Sequence, residues 1–382
     1  MSKAILAIDA GTTGINVAAY DSSANVIAQA DEDFTQHYPQ PGWVEHDPEE
    51  IWKVTSRMLQ KVSSAADVGE IAGIGITNQR ETAVIWDRST GKPVMNAIVW
   101  QCRRSQPQCE RLRKGGHEEL LCQKTGLVPD AYFSGTKIQW CLENIDGVRA
   151  RAEAGELAFG TIDTWLIWKL SGGKLHVTDY TNASRTLLFN IETKAWDGDL
   201  LGLMDVPAAL LPEVRASAEI YGDTDSSVTG SAIPISGIAG DQQSALVGQC
   251  GVESLSAKNT YGTGCFLMVN TADQRIHSQS GLLTTLACDR QGQPTYALEG
   301  SVFIAGAAVQ WLRDEMGFIT DSGESETLAA SISDTSGVYL VPAFVGLGAT
   351  VEAGGNVVVI ARDDTDIDTL SGAGTFGFVA SA

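Results

Sequence analysis

The sequence predicts an α/β protein with two domains, and three observations support this fold class. Its 382 residues exceed the size of one ordinary hydrophobic core. A short apolar run over residues 4–8 ends in a turn rich in glycine and threonine, residues 9–14, before a second apolar run. A similar strand–turn–strand pattern returns about 250 residues later, over residues 259–269. We therefore expect two related α/β domains that face each other.

Short apolar runs separated by turns predict antiparallel strands in the first part of the chain. The first three runs, residues 4–8, 15–20 and 26–30, form a meander in this interpretation. Two more strands, residues 82–87 and 97–100, flank a stretch of turn-forming residues and predict a β-hairpin.

A strong helix start follows the meander. Asp47 suits the N-cap and Pro48 the first helical position, while the two glutamates after them favour the positive end of a helix dipole. Apolar residues then recur at helical spacing: Ile51, Val54, Met58 and Val62.

Polar residues come directly after two predicted buried strands. A strand over residues 73–77 leads into Arg80 and Glu81, and a strand over residues 233–238 leads into Asp241. Reactive groups in α/β proteins lie at such strand ends. Each group also has an ordinary structural alternative, since Asp241 could cap a helix and the charged pair could lie in a solvated turn.

Composition excludes several classes of protein. The formal net charge is -21, so no basic surface is available to neutralise a nucleic acid. The seven cysteines form no C-x-x-C pair and predict neither a disulfide framework nor a zinc site, which favours a reducing compartment. Neither a signal-peptide pattern nor an apolar run of membrane-spanning length occurs, and we expect a cytoplasmic protein with no membrane partner.

The turn over residues 9–14 could bind phosphate. Its backbone N–H groups and two hydroxyls follow a buried strand, and the carboxylate of Asp9 could face a metal ion. Asp, Gly and Thr also suit a plain turn. The similar turn at residues 261–264 favours phosphate binding, because one turn from each domain could hold a nucleotide between them.

At these residues the sequence resembles the FGGY carbohydrate kinases, and within them the enzymes that phosphorylate glycerol. The similarity is dense from residue 1 to about residue 349 and rests on several long segments at once. These segments are residues 42–48, 77–82, 97–103, 237–243, 259–266 and 299–315, together with Tyr132, Ser134, Lys137, Trp140 and Asn144.

The resemblance implies an actin-like (ribonuclease H-like) two-domain kinase fold that closes on glycerol and Mg-ATP in an interdomain cleft. It implies phosphorylation of glycerol to glycerol 3-phosphate with release of ADP, with Asp241 as the general base. It also implies ATP and Mg²⁺ as cofactors and suggests a homo-oligomer.

The resemblance assigns the other site residues in three groups. The residues implied to hold glycerol are Arg80, Glu81, Trp100, Tyr132, Asp241, Gln242 and Phe266. Those implied to line the nucleotide site are Gly11, Thr12, Thr13, Thr263, Gly306 and Gln310. Those implied to face the magnesium ion are Asp9 and Asp241.

Two departures from the family pattern leave alternatives open. Ala10 and the segment Gly14, Ile15 and Asn16 resemble the sugar-kinase branches, so a pentulose or related sugar kinase is the first alternative. After residue 349 the sequence does not continue the family pattern. We expect domains over residues 1–247 and 248–349, the second incomplete, and a divergent tail over residues 350–382. A truncated or frame-shifted remnant that is inactive but still binds glycerol is the second alternative.

Overall fold

The computed structural model describes residues 3–262, 264–335, 337–342, 356–360 and 377–378. The chain divides into two compact units. The first unit comprises Met1–Lys258 and Met268–Glu299, and the second comprises Asn259–Leu267 and Gly300–Ala382.

The strands and helices of the described residues are as follows. The strands are β1 (Lys3–Ala10), β2 (Gly14–Tyr20), β3 (Val26–Asp33), β4 (Glu45–His46), β5 (Glu70–Asn78), β6 (Val84–Asp87), β7 (Ala97–Ile98), β8 (Leu157–Gly160), β9 (Val177–Asp179), β10 (Phe189–Asn190), β11 (Ala195–Trp196), β12 (Glu213–Arg215), β13 (Ala218–Asp223), β14 (Pro234–Gly240), β15 (Ala257–Tyr261), β16 (Cys265–Ala272), β17 (Leu283–Cys288), β18 (Pro294–Val302), β19 (Val338–Pro342), β20 (Asn356–Ile360) and β21 (Gly377–Phe378). The helices are α1 (Pro48–Ser63), α2 (Gln106–Lys114), α3 (Glu118–Thr125), α4 (Ser134–Asn144), α5 (Val148–Glu153), α6 (Ile162–Leu170), α7 (Tyr180–Ala183), α8 (Gly198–Met204), α9 (Ser226–Thr229), α10 (Asp241–Gly248), α11 (Gly306–Asp314) and α12 (Glu324–Ala330).

A six-stranded sheet of order β13-β14-β5-β1-β2-β3 forms the centre of the first unit. The strands β1, β2 and β3 pair antiparallel, so the predicted meander is confirmed. The strands β14, β5 and β1 run parallel. Isoleucines stand side by side across these parallel strands, with Ile8 opposite Ile76 and Ile76 opposite Ile238, and all three are buried. Their burial contributes to the apolar core around the sheet.

Helix α1 covers one face of this sheet and begins where the sequence predicted. The Asp47 carboxylate accepts a hydrogen bond from the backbone N–H of Glu49, which satisfies one of the free donors at the helix start. Pro48 occupies the first turn, where its missing N–H costs nothing. The buried face carries the predicted apolar residues: Ile51, Val54, Met58 and Val62.

The predicted hairpin over residues 82–100 is wrong in its main pairing. Strand β6 pairs antiparallel with β8 instead, and β7 pairs with β4. One isolated bridge, between Ala83 and Ile98, joins the two expected arms, and a second joins Trp86 to Pro93 in the expected turn. Pro93 has no N–H to extend a ladder, which limits regular pairing at that point.

The carboxyl ends of β1, β5 and β14 meet at one edge of the central sheet, because these three strands are parallel neighbours. The loops that leave this edge contain residues 11–13, residues 79–82 and Asp241. Open α/β sheets bind ligands at this edge. The fold therefore brings three of the predicted functional segments to one place within the first unit.

The second unit contains its own glycine turn and helix. The Gly262 N–H donates to the carbonyl of Gly264 at 2.8 Å, as the Gly11 N–H donates to that of Gly14 at 3.0 Å in the first unit. The Gly262 carbonyl accepts from the N–H of Gly306, the first residue of α11, at 3.0 Å. The strands β19, β20 and β21 form a parallel sheet.

Two expectations fall wholly or mainly outside the described residues. One is the position of Thr263, and the other is the divergent tail over residues 350–382, of which the structure describes only the backbone of β20 and β21. Within the described ranges, no helix combines the length and apolar character needed to cross a bilayer.

Candidate active site

The loop after β5 carries the first two site residues in a strained backbone conformation. Glu81 has a φ of 60°, and the Thr82 N–H donates back to the Arg80 carbonyl at 2.7 Å, closing a tight turn around Glu81. The Glu81 carbonyl accepts from Ser134 Oγ at 3.0 Å and from Lys137 Nζ at 3.4 Å. A left-handed conformation at a non-glycine residue costs free energy and is typical of functional sites. These two bonds from α4 offset part of that cost.

A buried network of four charged residues surrounds this turn. Arg80 donates to Glu299 through Nη1 at 2.5 Å and through Nη2 at 3.2 Å. Arg185 donates through Nε to Glu81 at 2.6 Å and through Nη2 to Glu299 at 2.7 Å. Each of the four side chains is at most 2% exposed. The two guanidiniums and two carboxylates balance in charge, which is what makes their burial tolerable.

Burial and neighbouring charges act in opposite directions on the pKa values of Arg80 and Glu81. Burial opposes the positive charge of Arg80, yet the negative groups around it, led by Glu299, raise its pKa above the usual arginine value. Burial raises the pKa of Glu81, against the opposing effect of Arg80 and Arg185. Tyr132 is buried beside them, and its hydroxyl accepts from Arg80 Nη2 at 3.3 Å.

Asp241 is the first residue of α10, directly after β14. Arg80 Nε lies 3.2 Å from its Oδ1, and the backbone N–H of Gln242 donates to the same oxygen at 2.7 Å. The side chain stays 37% exposed, unlike the other charged groups of the cluster. Burial nevertheless raises the pKa of Asp241, and the charge of Arg80 opposes that shift. A carboxylate held by an arginine and still reachable by solvent suits a general base.

The residue before Asp241 has to be glycine, because Arg80 passes close to its backbone. A Cβ added at Gly240 would lie 2.7 Å from Cδ of Arg80. The Gly240 N–H donates to Thr181 Oγ1 at 2.9 Å. This bond fixes the peptide that leads into Asp241.

Gln242 and Gln243 extend the site along α10. The Gln242 side-chain carbonyl accepts a hydrogen bond from Lys258, and burial lowers the pKa of that lysine to about 8. Gln243 accepts from Arg80 at 3.3 Å and donates to the Leu286 carbonyl at 2.9 Å.

The turn after β1 is linked to the same cluster. Trp100 Nε1 donates to Thr12 Oγ1 at 3.0 Å, and the Trp100 ring meets the Tyr132 ring edge to face, with centroids 5.7 Å apart. Thr13 contributes its backbone carbonyl to a bond from Phe34 N–H at 3.1 Å. The charge of Asp9, on β1, raises the pKa of Asp241, and burial raises the pKa of Asp9 itself.

A neutral histidine positions two glutamine side chains that bond to this turn. His46 Nε2 lies 2.6 Å from the side-chain oxygen Oε1 of Gln36, and its Nδ1 lies 3.2 Å from the side-chain nitrogen Nε2 of Gln79. The two amides in turn donate to the Thr12 and Gly11 carbonyls, each at 3.0 Å. Burial lowers the pKa of His46 to about 3, so the ring is neutral, with Nε2 as the donor and Nδ1 as the acceptor.

The remaining predicted site residues belong to the second unit. Phe266 lies on β16 and is half-buried. Gly306 begins α11, and Gln310 lies one turn later with an exposed side chain. Helix α11 thus presents its amino end beside the turn at Gly262. Helix amino ends attract phosphate groups through free N–H groups and the helix dipole.

The structure brings together Arg80, Glu81, Trp100, Tyr132 and Asp241, all of which the family resemblance assigned to the glycerol site. It also adds buried charged residues to which sequence reasoning gave no role, namely Arg185, Lys258 and Glu299. A weak signal existed for Glu299, which interrupts an apolar strand, since a lone charge at such a position needs a buried partner.

Comparison with known families accounts for most of the chain. The model of the FGGY family of carbohydrate kinases matches residues 4–248 with its N-terminal domain and residues 257–364 with its C-terminal domain. The predicted domain boundary near residue 247 and the cytoplasmic location stay predictions.

Curated relatives with high identity carry one name. A glycerol kinase of Carboxydothermus hydrogenoformans is 56% identical over 366 residues, covering 94% of this chain and 73% of the relative. A glycerol kinase of Enterobacter sp. is 57% identical over 350 residues, covering 91% of this chain and 70% of the relative.

Solved structures agree on the fold. The Plasmodium falciparum glycerol kinase with ADP superimposes with a TM-score of 0.82 at 36% identity, covering 88% of this chain and 68% of that one. A gluconate kinase from Lactobacillus acidophilus superimposes with a TM-score of 0.77 at 20% identity, covering 88% and 67%, which bears on the fold alone. The predicted actin-like α/β fold is confirmed, and the chain belongs to the FGGY family of carbohydrate kinases.

Proposed function

We propose that this protein transfers the γ-phosphate of ATP to glycerol, forming glycerol 3-phosphate and ADP. The observation that carries the proposal is Asp241, a partly exposed carboxylate at the end of β14 with Arg80 Nε 3.2 Å away. The high identity to relatives named glycerol kinase supports glycerol as the acceptor.

Asp241 acts as the general base in this proposal. Its carboxylate accepts the proton of a glycerol hydroxyl as that oxygen attacks the γ-phosphorus and ADP leaves. The cation of Arg80 stabilises the carboxylate in its charged form and keeps it in place. Such a transfer depends on positioning and charge neutralisation more than on covalent chemistry.

Donors and acceptors around Asp241 suit a small polyol. Arg80 supplies guanidinium donors, while Glu81 and Gln242 supply acceptors for hydroxyl groups. The rings of Trp100 and Tyr132, which meet edge to face, would contact the carbon chain, and Phe266 is assigned the same role. Hydroxyl recognition of this kind gives specificity, because an analogue without the hydroxyl leaves buried polar groups unpaired.

The residues also fit a magnesium ion. Asp9 and Asp241 are close enough for the charge of one to raise the pKa of the other. Carboxylate oxygens are the hard donors that Mg²⁺ prefers. These two residues would hold the ion directly or through water, and the ion would neutralise charge on the phosphates.

The nucleotide is assigned to the two glycine turns. Gly11, Thr12 and Thr13 offer backbone N–H groups and hydroxyls in the first unit. In the second unit, Gly306 and Gln310 lie on the first turns of α11. Thr263 is assigned to the same role by resemblance.

The first test is glycerol-dependent release of ADP by the purified protein with Mg-ATP. Wild type should release ADP, and Asp241→Asn should lose the activity by about a hundredfold or more, since general-base catalysis contributes about that much. Asp223→Asn, an exposed position at the far end of the neighbouring strand, should keep wild-type activity. Glycerol binding retained by Asp241→Asn would show that the variant is folded.

Absence of ADP release from folded wild-type protein would contradict the proposal and favour an inactive glycerol-binding remnant. A panel of acceptor substrates distinguishes a glycerol kinase from the other alternative, a pentulose or related sugar kinase. The segment Gly14, Ile15 and Asn16 resembles sugar kinases, so xylulose and related pentuloses belong in the panel. A higher kcat/KM for a pentulose than for glycerol would replace glycerol as the substrate.

A further inference from the structure

Arg185 is the arginine closest to the carboxylate of Glu81. It follows α7 and lies 104 positions from Glu81 in the sequence. Its side chain is fully buried. Its guanidinium carbon lies 5.6 Å from the ring centroid of Tyr132 and 5.2 Å from that of Phe133. These aromatic neighbours and two carboxylates hold the side chain in one place.

The guanidinium divides its donors between two carboxylates. Nε donates to Glu81 Oε1 at 2.6 Å, and Nη2 donates to Glu299 Oε1 at 2.7 Å. Glu299 in turn accepts from both terminal nitrogens of Arg80. Arg185 is therefore bonded to one predicted glycerol ligand and is one carboxylate away from a second. A planar fork with several donors can do this, whereas an ammonium group presents a single point of charge.

Removing Arg185 would unbalance the charge around Glu81. The ionisable groups that face Glu81 are Arg80, Tyr132, Lys137, Arg185 and Glu299. Burial raises the pKa of Glu81, and only the cations among these neighbours oppose that rise. With Arg185 gone, three carboxylates, those of Glu81, Glu299 and Asp241, would share Arg80. The charged form of Glu81 would also lose a direct hydrogen bond.

We propose that Arg185 is a positioning residue for the acceptor substrate, keeping the Glu81 carboxylate charged and aimed as a hydroxyl acceptor. This inference rests on the proposed function, because it takes Glu81 to bind a glycerol hydroxyl. Arg185 itself touches neither the substrate nor the reacting atoms in this proposal. Its effect reaches them through Glu81 directly and through Glu299 to Arg80.

The test measures the dissociation constant for glycerol by calorimetry, without ATP, between pH 5 and pH 9. In Arg185→Met, glycerol binding should weaken about tenfold or more at neutral pH, since a hydrogen bond to a charged group is lost. Binding should also recover as pH rises, because Glu81 regains its charge at a higher pH than in wild type. Arg185→Lys keeps one cation and should show a smaller shift in the same direction.

Arg104→Met is the matched control. Arg104 is also a buried arginine of the first unit, but its carboxylate partner is Glu45, at 2.7 Å, and it stacks on Trp43. This variant should lose stability and leave the pH dependence of glycerol binding unchanged. An Arg185→Met protein with the wild-type pH dependence, or a shift of equal size in Arg104→Met, would overturn the proposal.

Two further measurements keep the result decisive. If Arg185→Met does not fold, the Arg185→Lys protein alone decides, because no upward shift in its pH dependence would refute the inference. If wild type binds no glycerol, the proposed function fails, and the Glu81 carboxyl is titrated directly by carbon-13 NMR, with Glu81→Gln identifying its signal. A Glu81 titration that moves upward in Arg185→Lys supports the inference even then, and an unmoved titration contradicts it.

Discussion

Thr181 connects a buried acid to the peptide that precedes Asp241. Its hydroxyl donates to Asp179 Oδ2 at 2.6 Å and accepts from the Gly240 N–H at 2.9 Å. Asp179 also accepts from Ser217 and Asn182, so the acceptor is itself held firmly. The Thr181 hydroxyl therefore connects this buried hydrogen-bond network to the start of α10 and fixes the backbone there.

Replacing Thr181 with valine should reduce kcat more than it raises the KM for glycerol. The Gly240 N–H would be left buried without its partner, at a cost of about 1–3 kcal/mol, and the backbone around Asp241 would shift. We expect kcat to fall about tenfold, while Thr181→Ser, which keeps the hydroxyl, stays near wild type.

Thr178→Val is the control for this variant. Thr178 donates to the other buried acid of the region, Asp163, at 2.7 Å and makes no bond to Gly240. It should lower the free energy of unfolding by a similar amount, about 1–3 kcal/mol, without a matching loss of kcat. Equal losses of kcat in the two valine variants would mean that Thr181 acts through general stability.

At the scale of elements, the end of α3 depends on one glycine. Gly126 follows the helix with a φ of 73°, and its N–H donates to the Cys122 carbonyl at 2.9 Å. The Thr284 N–H, on β17, donates to the Gly126 carbonyl at 3.0 Å. This close approach joins α3 to β17, and a Cβ at Gly126 would overlap the Thr284 carbonyl.

Gly126→Ala should destabilise the protein by about 3 kcal/mol or more, from backbone strain plus overlap with β17. Gly116→Ala is the matched control. Gly116 has the same φ of 73°, but a Cβ there would meet nothing within 4 Å, so strain alone should cost about 1–2 kcal/mol. Urea unfolding measures the free energy of unfolding of both variants. Equal decreases would show that β17 moves to accommodate the added methyl group at little cost.

At the scale of the whole molecule, one partly buried histidine, His176, links stability to pH. His176 lies among the rings of Trp86 and Trp168, and its Nε2 lies 2.8 Å from the Phe159 carbonyl. Arg88 Nη2 lies 3.2 Å from its Nδ1. Because arginine can only donate, Nδ1 is the acceptor and Nε2 carries the hydrogen. Burial lowers the pKa of His176 to about 4.

Acid should therefore destabilise the protein through His176. In the unfolded state the His176 ring binds a proton below about pH 6.5, whereas in the folded state it stays neutral until about pH 4. The free energy of unfolding therefore decreases as the pH is lowered from about 6.5 to about 4. His176→Gln should shrink the difference in unfolding free energy between pH 7 and pH 5 by about 2 kcal/mol.

Urea unfolding at the two pH values tests this linkage, with the exposed His277→Gln as control. Burial raises the pKa of Asp163 to about 6, which acts in the opposite sense, but this carboxyl is present in every protein compared. If the unfolding free energy of His176→Gln changes between pH 7 and pH 5 by as much as that of wild type, His176 is not the group that links stability to pH.

Local patterns were sufficient for much of the fold. The meander of β1, β2 and β3 follows from apolar runs and turn residues, and α1 follows from its cap and its helical spacing. The hairpin failed because β6 found a partner 70 residues away in β8, and propensity carries no information about distant partners.

The site was predictable to the same extent. Arg80, Glu81 and Asp241 come directly after apolar strands, which made them candidate site residues in the sequence. Only the structure shows that these two strands, β5 and β14, are parallel neighbours. The positive φ of Glu81 was not visible, because glutamate has no preference for it.

By itself the sequence determined the three-strand meander, helix α1 and the family, since each rests on contiguous segments of the chain. Only the tertiary structure decided the partners of the buried charges. Glu299 and Arg185 are 114 positions apart, yet they lie 2.7 Å apart in the folded chain. A buried charge must be paired, but which group pairs it depends on how distant segments pack, and no local pattern records that.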